Sequence, residues 1–264
     1  MSFLHPKINP FSSFTISLGP LYVERVFDSL LTLQGVNEVV TMAAIDRFAR
    51  YLDYLKKRTN NYKWEEFTLI QFYKGHFYQQ LANHTPLQEH ARHHQEKALC
   101  YFQSYLELSH RSDESRFYAQ WQIGLMQDLL DYPWKLSENS LLQAHTIDSF
   151  RGEPFKALVA HFVRAKDWET AYSYSSFALI NYFDKNPAIH RRWFIHFDSY
   201  NWTLIHTHLT ICYKLGYLNE AEAAWRRILD YERRHPDEFK DSEIRRIHSL
   251  ERIFHPKRAL ASAS

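Results

Sequence analysis

The chain has 264 residues, of which 45% are hydrophobic and 16% aromatic, and its formal net charge is +2. That apolar content excludes a wholly disordered chain, and so small a charge does not by itself indicate a nucleic-acid partner. The 6 glycines form neither a GxGxxG nor a GxxxxGK[ST] motif, which excludes dinucleotide-binding and P-loop sites. The 2 cysteines, Cys100 and Cys212, are too few for a disulfide framework or a four-cysteine zinc site, so free thiols are expected.

The N-terminal quarter of the chain divides into an arm and a helical part. Residues 1–20 are rich in Pro and Ser and predict an extended arm that lacks the pattern of a signal peptide. Residues 21–62 predict two amphipathic helices, separated near Gly35. The chain contains no run of about 18 apolar residues, so the sequence predicts no membrane span.

Residues 63–254 predict helices joined by short turns, because apolar residues recur at helical spacing between Gly, Pro and Asn breaks. The predicted helices span 64–84, 87–109, 115–132, 136–150, 155–166, 168–183, 199–217, 219–235 and 237–254. The last of them has the polar face that the cap of a helical array requires. Residues 184–199 predict an insertion, and residues 255–264 predict a disordered tail.

Helical pairs in series predict an all-α solenoid, and the small residues that would close each hairpin fit the tetratricopeptide pattern. Three units hold these positions as Leu209, Leu218, Ala221, Trp225 and Ile228; Val159, Trp168, Ala171, Ser175 and Ala178; and Gly124, Trp134, Ser137, Leu141 and Ala144. A weaker first unit begins near Thr68 and has Gly75 at the place of Gly124. The period is irregular, since Ala171 and Ala221 stand 50 residues apart, against about 34 in regular arrays. An irregular helical bundle is therefore the alternative to a solenoid of about four hairpins.

Several segments in order resemble a known family. They are RFYAQWQIG, PWKLSENSLLQA, RGEPFKALVAHFVRAKDWETAYSYSSFAL and FDSYNWTLIHTHLTICYKLGYLNEA. Together they resemble the tetratricopeptide segments that follow bacterial family-2-type glycosyltransferase domains, over about residues 115–230. The R-x-E-P start of one helix and the aromatic-Asp-x-Tyr-x-Trp approach to the next are the more specific parts. The resemblance implies a helical repeat fold associated with sugar or cell-surface biosynthesis.

The resemblance does not extend to transferase chemistry. Such enzymes place a metal-binding D-x-D motif in an α/β domain, and this chain has neither the motif nor such a domain. Asp167-Trp168-Glu169 and Asp230-Tyr231-Glu232 have the form D-x-E but lie in a helical hairpin and on a helix. The scaffold is therefore expected without the catalytic domain.

A binding groove is expected on the concave face of such an array, which the first helix of each pair lines. Aromatic rings there would supply apolar contact area, and a few polar groups would fix the register of a peptide or sugar chain. The alternative is that some of these rings are buried by the N-terminal helices. The positions that point into the predicted groove are Phe72, His76, Gln79, Tyr118, Trp121, Asp128, Lys156, His206, Thr210 and Tyr213.

The predicted insertion is a second candidate surface. It and the residues that follow it are dense in Arg, His and aromatic residues, and insertions in helical arrays often carry function. The candidate residues are Arg191, Arg192, Trp193, His196 and Tyr200. The two arginines would suit a carboxylate or a phosphate. The alternative is a structural plug whose rings fill a gap between repeats.

Catalytic and metal-binding patterns are weak. His90 and His94 share a helix face and could hold Zn²⁺, but no third ligand or H-E-x-x-H motif accompanies them, and a solvated helix face explains them better. No G-x-S-x-G motif occurs, and neither cysteine has a motif partner. Arginine pairs near the C-terminus alternate with acids, which indicates a salt-bridged solvated face.

The function predicted from these patterns is that of a non-catalytic adaptor in the cytoplasm. It would hold a peptide or protein partner in the groove, without a cofactor and without contact with a membrane. Two alternatives are an enzyme or enzyme subunit that acts on a sugar or peptide through the His-rich and aromatic surface, and a nucleic-acid-binding regulator that uses the basic C-terminal face. The sequence leaves the partner, the pathway and the oligomeric state open.

Overall fold

The computed structural model describes residues 64–84, 87–109, 114–185 and 196–254. Within these ranges all regular elements are helical. The α-helices are α1 (Trp64–His84), α2 (Gln88–Leu108), α3 (Glu114–Leu129), α4 (Trp134–Ile147), α5 (Glu153–Ala165), α6 (Trp168–Asn181), α7 (Trp202–Leu215), α8 (Leu218–Arg234), α9 (Asp241–Ser249) and α10 (Glu251–Phe254). The predicted arm (1–20), the predicted helices within 21–62 and the predicted tail (255–264) lie outside the described residues. No helix in the described part has the length and apolar character needed to cross a bilayer.

The helix ends follow from local sequence. Pro154 occupies the first turn of α5, where its missing N–H leaves no bond unmade. Asp167 caps α6 by accepting a hydrogen bond from the Thr170 N–H, and Asn201 caps α7 through the Thr203 N–H. Gly216 ends α7 in the left-handed conformation, with φ of 77°, which glycine adopts without steric cost. These caps fix the short turns that bring consecutive helices together.

Each helix packs chiefly against its neighbours in the chain, and α1 also contacts α3, which in turn contacts α5. One edge, which we call the turn edge, holds the start of α2 and the turns between α3 and α4, α5 and α6, and α7 and α8. Contacts link them in order: Arg92 Nη2 donates to the Leu130 carbonyl at 3.1 Å, and Asp128 contacts His161 at 2.9 Å. Tyr172 then donates its hydroxyl proton to Glu220 at 2.6 Å.

Small residues allow the paired helices to approach closely. Ala171 and Ala221 are completely buried, as are Ser137 and Ser175. Gly124 on α3 faces Leu141 on α4, and a Cβ atom at this glycine would lie 2.7 Å from Leu141 Cγ. The absence of a side chain at this position is therefore a packing requirement.

The closing segment differs from its prediction. The sequence indicates one helix over 237–254, but the structure has a 3-10 turn (Pro236–Glu238), then α9 and the short α10. Phe239 and Lys240 between them are extended. Phe239 is buried there and stacks on Trp202, with ring centroids 4.9 Å apart. Because Phe239 makes this tertiary contact in an extended conformation, the helix predicted over 237–254 does not form at its start.

The close approach of α3 and α4 gives a test of the fold. Gly124→Ala should lower the free energy of unfolding, because overpacking costs about 1–3 kcal/mol. A sterically free Gly-to-Ala change inside a helix would instead stabilise by about 1 kcal/mol. Denaturant unfolding measures the sign. Asn139→Ala, at an exposed position of α4, is the control and should be neutral or slightly stabilising; equal behaviour of the two variants would contradict the packing described.

Candidate binding surface

Half of the predicted groove residues lie in the interior. Phe72, His76, Gln79, Tyr118 and Trp121 are each at most 7% exposed. Phe72 and Tyr118 contact one another with ring centroids 5.7 Å apart, and Tyr118 contacts Trp121 at 5.7 Å. Repeat position selects the face of a helix that turns inward, but it does not show whether other residues cover that face. On α1 and α3 this face is buried.

The buried polar groups of this cluster form a chain of hydrogen bonds. Tyr118 donates its hydroxyl proton to Gln79 Oε1 at 2.8 Å. Since that is the only proton of the hydroxyl, His76 Nδ1, 2.9 Å from the same oxygen, has to be the donor to it. Burial lowers the pKa of His76 to about 4, so this imidazole is neutral at neutral pH. The chain stabilises the contact between α1 and α3.

The other five predicted groove residues retain contact with solvent. Asp128 on α3 contacts His161 Nδ1 at 2.9 Å and forms an ion pair with Arg164 of α5, and Lys156 forms an ion pair with Asp198.

The remaining three, His206, Thr210 and Tyr213, follow one another along a face of α7 and are called the α7 stripe. Tyr213 is 47% exposed, and His206 and Thr210 are partly exposed. The pKa of His206 is lowered by burial and by the charge of Arg246. The predicted groove is thus filled at α1 and α3 and accessible at α7.

The turn edge adds exposed apolar area next to the α7 stripe. In the described part, most of the large apolar side chains that are more than a third exposed lie at this edge: Leu87, Leu129, Tyr132, Leu136, Tyr213, Tyr217 and Leu218. Phe150, Phe177, Ile180 and Ile253 are exposed elsewhere. Single exposed apolar residues are ordinary, but a series of them along one edge is typical of an interaction surface. Tyr213 belongs both to this edge and to the α7 stripe.

The end of the predicted insertion packs against the helices. His196 places its ring edge-on to Trp121, with centroids 4.7 Å apart, and donates its backbone N–H to Glu153 at 3.2 Å. Tyr200 is buried. Arg191, Arg192 and Trp193 lie outside the described residues. The described part of this segment therefore covers an aromatic ring of α3, as a structural plug would.

A buried ion pair holds that segment in place. Arg151 has no exposed side-chain surface, and its Nη2 donates to Glu153 at 2.9 Å while its Nη1 donates to Glu114 at 3.1 Å. Burial opposes the charge of Arg151, but hydrogen bonds and attraction from Glu153 raise its pKa overall. Tyr200 donates to Glu153 at 2.6 Å and accepts the Gly152 N–H at 2.9 Å. Arg151 and Glu153 of the R-x-E-P motif thus fix the position of the segment that carries His196 and Tyr200.

The weak metal candidates do not form a ligand group. His90 is exposed on α2, and His94 stacks on Tyr78 with ring centroids 6.0 Å apart. Among the described residues, the group of three potential metal ligands that comes together is His208, Cys212 and Glu220. The sequence signal that could have revealed it is H-x-x-x-C on a helix, which puts both side chains on one face.

The electrostatics of this group argue against nucleophilic catalysis. Burial lowers the pKa of His208 to about 4 and raises the pKa of Cys212 to about 11. Both groups are therefore neutral at neutral pH. A cysteine nucleophile needs a thiolate, which a protonated neighbouring histidine normally stabilises. The pair lacks that charge distribution.

Two further surfaces are occupied by local contacts. The C-terminal arginines pair with acids: Arg226 with Glu222, and Arg234 with Asp184. A cleft of about 650 Å³ lies among the end of α2, the first turns of α3 and the end of α4. Arg116 in its wall donates to the Leu106 and Ser109 carbonyls.

No protein-family model matches the chain, and a search of curated proteins found no significant match.

The Tyr200 contact predicts a stability effect. Tyr200→Phe should lower the free energy of unfolding by about 1.5–3 kcal/mol, because it removes a hydrogen bond to a buried carboxylate. Tyr213→Phe, on the exposed stripe, is the matched control and should change it by less than about 0.5 kcal/mol. Urea titration of both variants measures the difference. Equal small effects of the two substitutions would show that the hydrogen bond from Tyr200 does not stabilise the buried Glu153 carboxylate.

The buried imidazole of His76 predicts that the stability of the fold depends on pH. Because the pKa of His76 is about 4 in the folded state and about 6.5 when unfolded, the unfolded chain binds more protons between these values. Stability should therefore be complete above pH 6.5 and fall as the pH drops toward 4, by about 1.4 kcal/mol per pH unit for this residue. His76→Gln should make the measured dependence shallower by up to one proton. An unchanged slope would mean that His76 is not neutral in the folded protein.

Proposed function

We propose that the chain is a tetratricopeptide-like helical-repeat protein that binds a peptide or protein partner. The serial packing of helical pairs and the buried small residues between them support this reading. Val159, Ala178 and Ile228, which the pattern assigns to hairpin contacts, are each at most 2% exposed. Repeat proteins of this kind use their extended inner surface for binding. The resemblance of residues 115–230 suggests glycan or cell-surface biosynthesis as the pathway.

The observation that carries the proposal is the difference between α7 and the earlier helices. The inward positions of α1 and α3 are filled by their own rings, whereas the α7 stripe and its neighbour Tyr217 remain accessible. A partner segment would contact the Tyr213 ring for apolar area and His206 for a polar contact that fixes its register. The part of the turn edge next to the stripe, at Tyr217 and Leu218, would extend the contact beyond the stripe.

The proposal is tested by changing the stripe without changing the core. One comparison sets a Thr210→Ala, Tyr213→Ala double variant against a Tyr132→Ala control. A second comparison sets a photo-crosslinking residue at position 213 against the same residue at position 132. Tyr132 is 44% exposed on the same edge but away from the stripe. Wild type and the Tyr132 control should retain a host partner that the double variant loses, and only the crosslinker at 213 should trap it.

Circular dichroism must first show equal helicity in all variants. A partner retained by the double variant, or trapped equally from position 132, would remove the α7 stripe as the binding surface. Failure of wild type to retain any partner would remove the adaptor function itself.

A further inference from the structure

Three side chains of different ligand chemistry meet where α7 joins α8. His208 and Cys212 stand one helical turn apart on α7, with Nε2 and Sγ 3.3 Å apart. Glu220 comes from the first turn of α8. All three ligand atoms lie within 4.8 Å of one another. The histidine and the cysteine are buried, and the carboxylate is exposed, so the group is reached from the surface on the glutamate side.

The hydrogen bonds around His208 fix which nitrogen is available. Ser175 donates its hydroxyl proton to the Tyr172 carbonyl at 3.1 Å. Its oxygen lies 2.8 Å from His208 Nδ1 and, having no second proton, has to accept from it. The tautomer with hydrogen on Nδ1 leaves the Nε2 lone pair directed at Cys212. This is the arrangement in which protein metal sites hold histidine ligands.

The distances suit a tetrahedral ion. With Zn–S of about 2.3 Å and Zn–N of about 2.0–2.1 Å, tetrahedral coordination places sulfur and nitrogen about 3.5 Å apart. The observed 3.3 Å is close to that value without movement of the helix. The remaining adjustment falls on Glu220, whose exposed side chain is free to move further than the two buried ligands. Tyr172 already directs this carboxylate through a hydrogen bond of 2.6 Å.

We propose that His208, Cys212 and Glu220 bind a Zn²⁺ ion through Nε2, Sγ and a carboxylate oxygen. On binding, the Cys212 S–H bond breaks, the sulfur forms a bond to the metal and the proton passes to solvent. Thiolate with imidazole selects zinc over Mg²⁺ and Ca²⁺, which prefer oxygen ligands. Three protein ligands leave a fourth position for water or an external group. The site is independent of the adaptor function proposed above.

The test uses the reduced full-length chain after treatment with a chelator. Co²⁺ is the probe, because a thiolate–Co²⁺ bond gives a charge-transfer absorption band that other ligands do not, and Zn²⁺ should displace it stoichiometrically. Cys212→Ser should abolish the band. Cys100→Ser, which changes the exposed cysteine on the helix that also carries His90 and His94, should leave it intact.

Two further variants keep the test valid if Cys212→Ser does not fold. Glu220→Gln changes an exposed side chain and should weaken Zn²⁺ binding at least about tenfold, and Ser175→Ala should weaken it about 10–100-fold by freeing the histidine ring. Zn²⁺ should also raise the Tm of wild type but not of the Cys212 variant. A band that survives Cys212→Ser, a band lost with Cys100→Ser, or affinity unchanged in both Glu220→Gln and Ser175→Ala would overturn the proposal.

Discussion

The buried guanidinium of Arg151 holds together three parts of the chain. It pairs with Glu114 at the start of α3 and with Glu153 at the start of α5, and Glu153 in turn accepts hydrogen bonds from Tyr200 and His196. A buried charge is costly unless it is paired and its hydrogen bonds are made. Replacement of Arg151 would leave Glu153 in the interior without its cation, and replacement of Glu153 would leave Arg151 with Glu114 alone. The placement of α3, of α5 and of the approach to α7 therefore depends on one local charge balance.

The same charge balance also determines which part of the predicted groove is covered. Because Glu153 holds the backbone of His196, the histidine ring is positioned over Trp121. The inward face of α3 is thus closed by the end of the predicted insertion, whereas the face of α7 has no such cover over Tyr213. The same fold can present a filled core at one pair of helices and an accessible surface at another.

The sequence predicts the helices well and the surfaces less well. Apolar spacing and the breaks at Gly216 and Pro133 place α3 to α8 within a few residues, because these signals are local. Repeat position predicts that Tyr118 and Trp121 face the groove, but the burial of both side chains depends on residues distant in the chain. The sequence does not reveal the group around Cys212, because Glu220, although near in the chain, comes close to His208 and Cys212 only through the α7–α8 turn.

The serial packing of the helices also affects how the chain reaches its native state. Most contacts join elements adjacent in sequence, so the hairpins can form with little loop-closure entropy, and a low contact order favours fast folding. The Tyr200–Glu153 bond is an exception, since it joins residues 47 positions apart. Ordering the segment around Tyr200 carries a larger entropic cost than forming any single hairpin. The last event in folding is then expected to be the docking of this segment onto helices that are already paired.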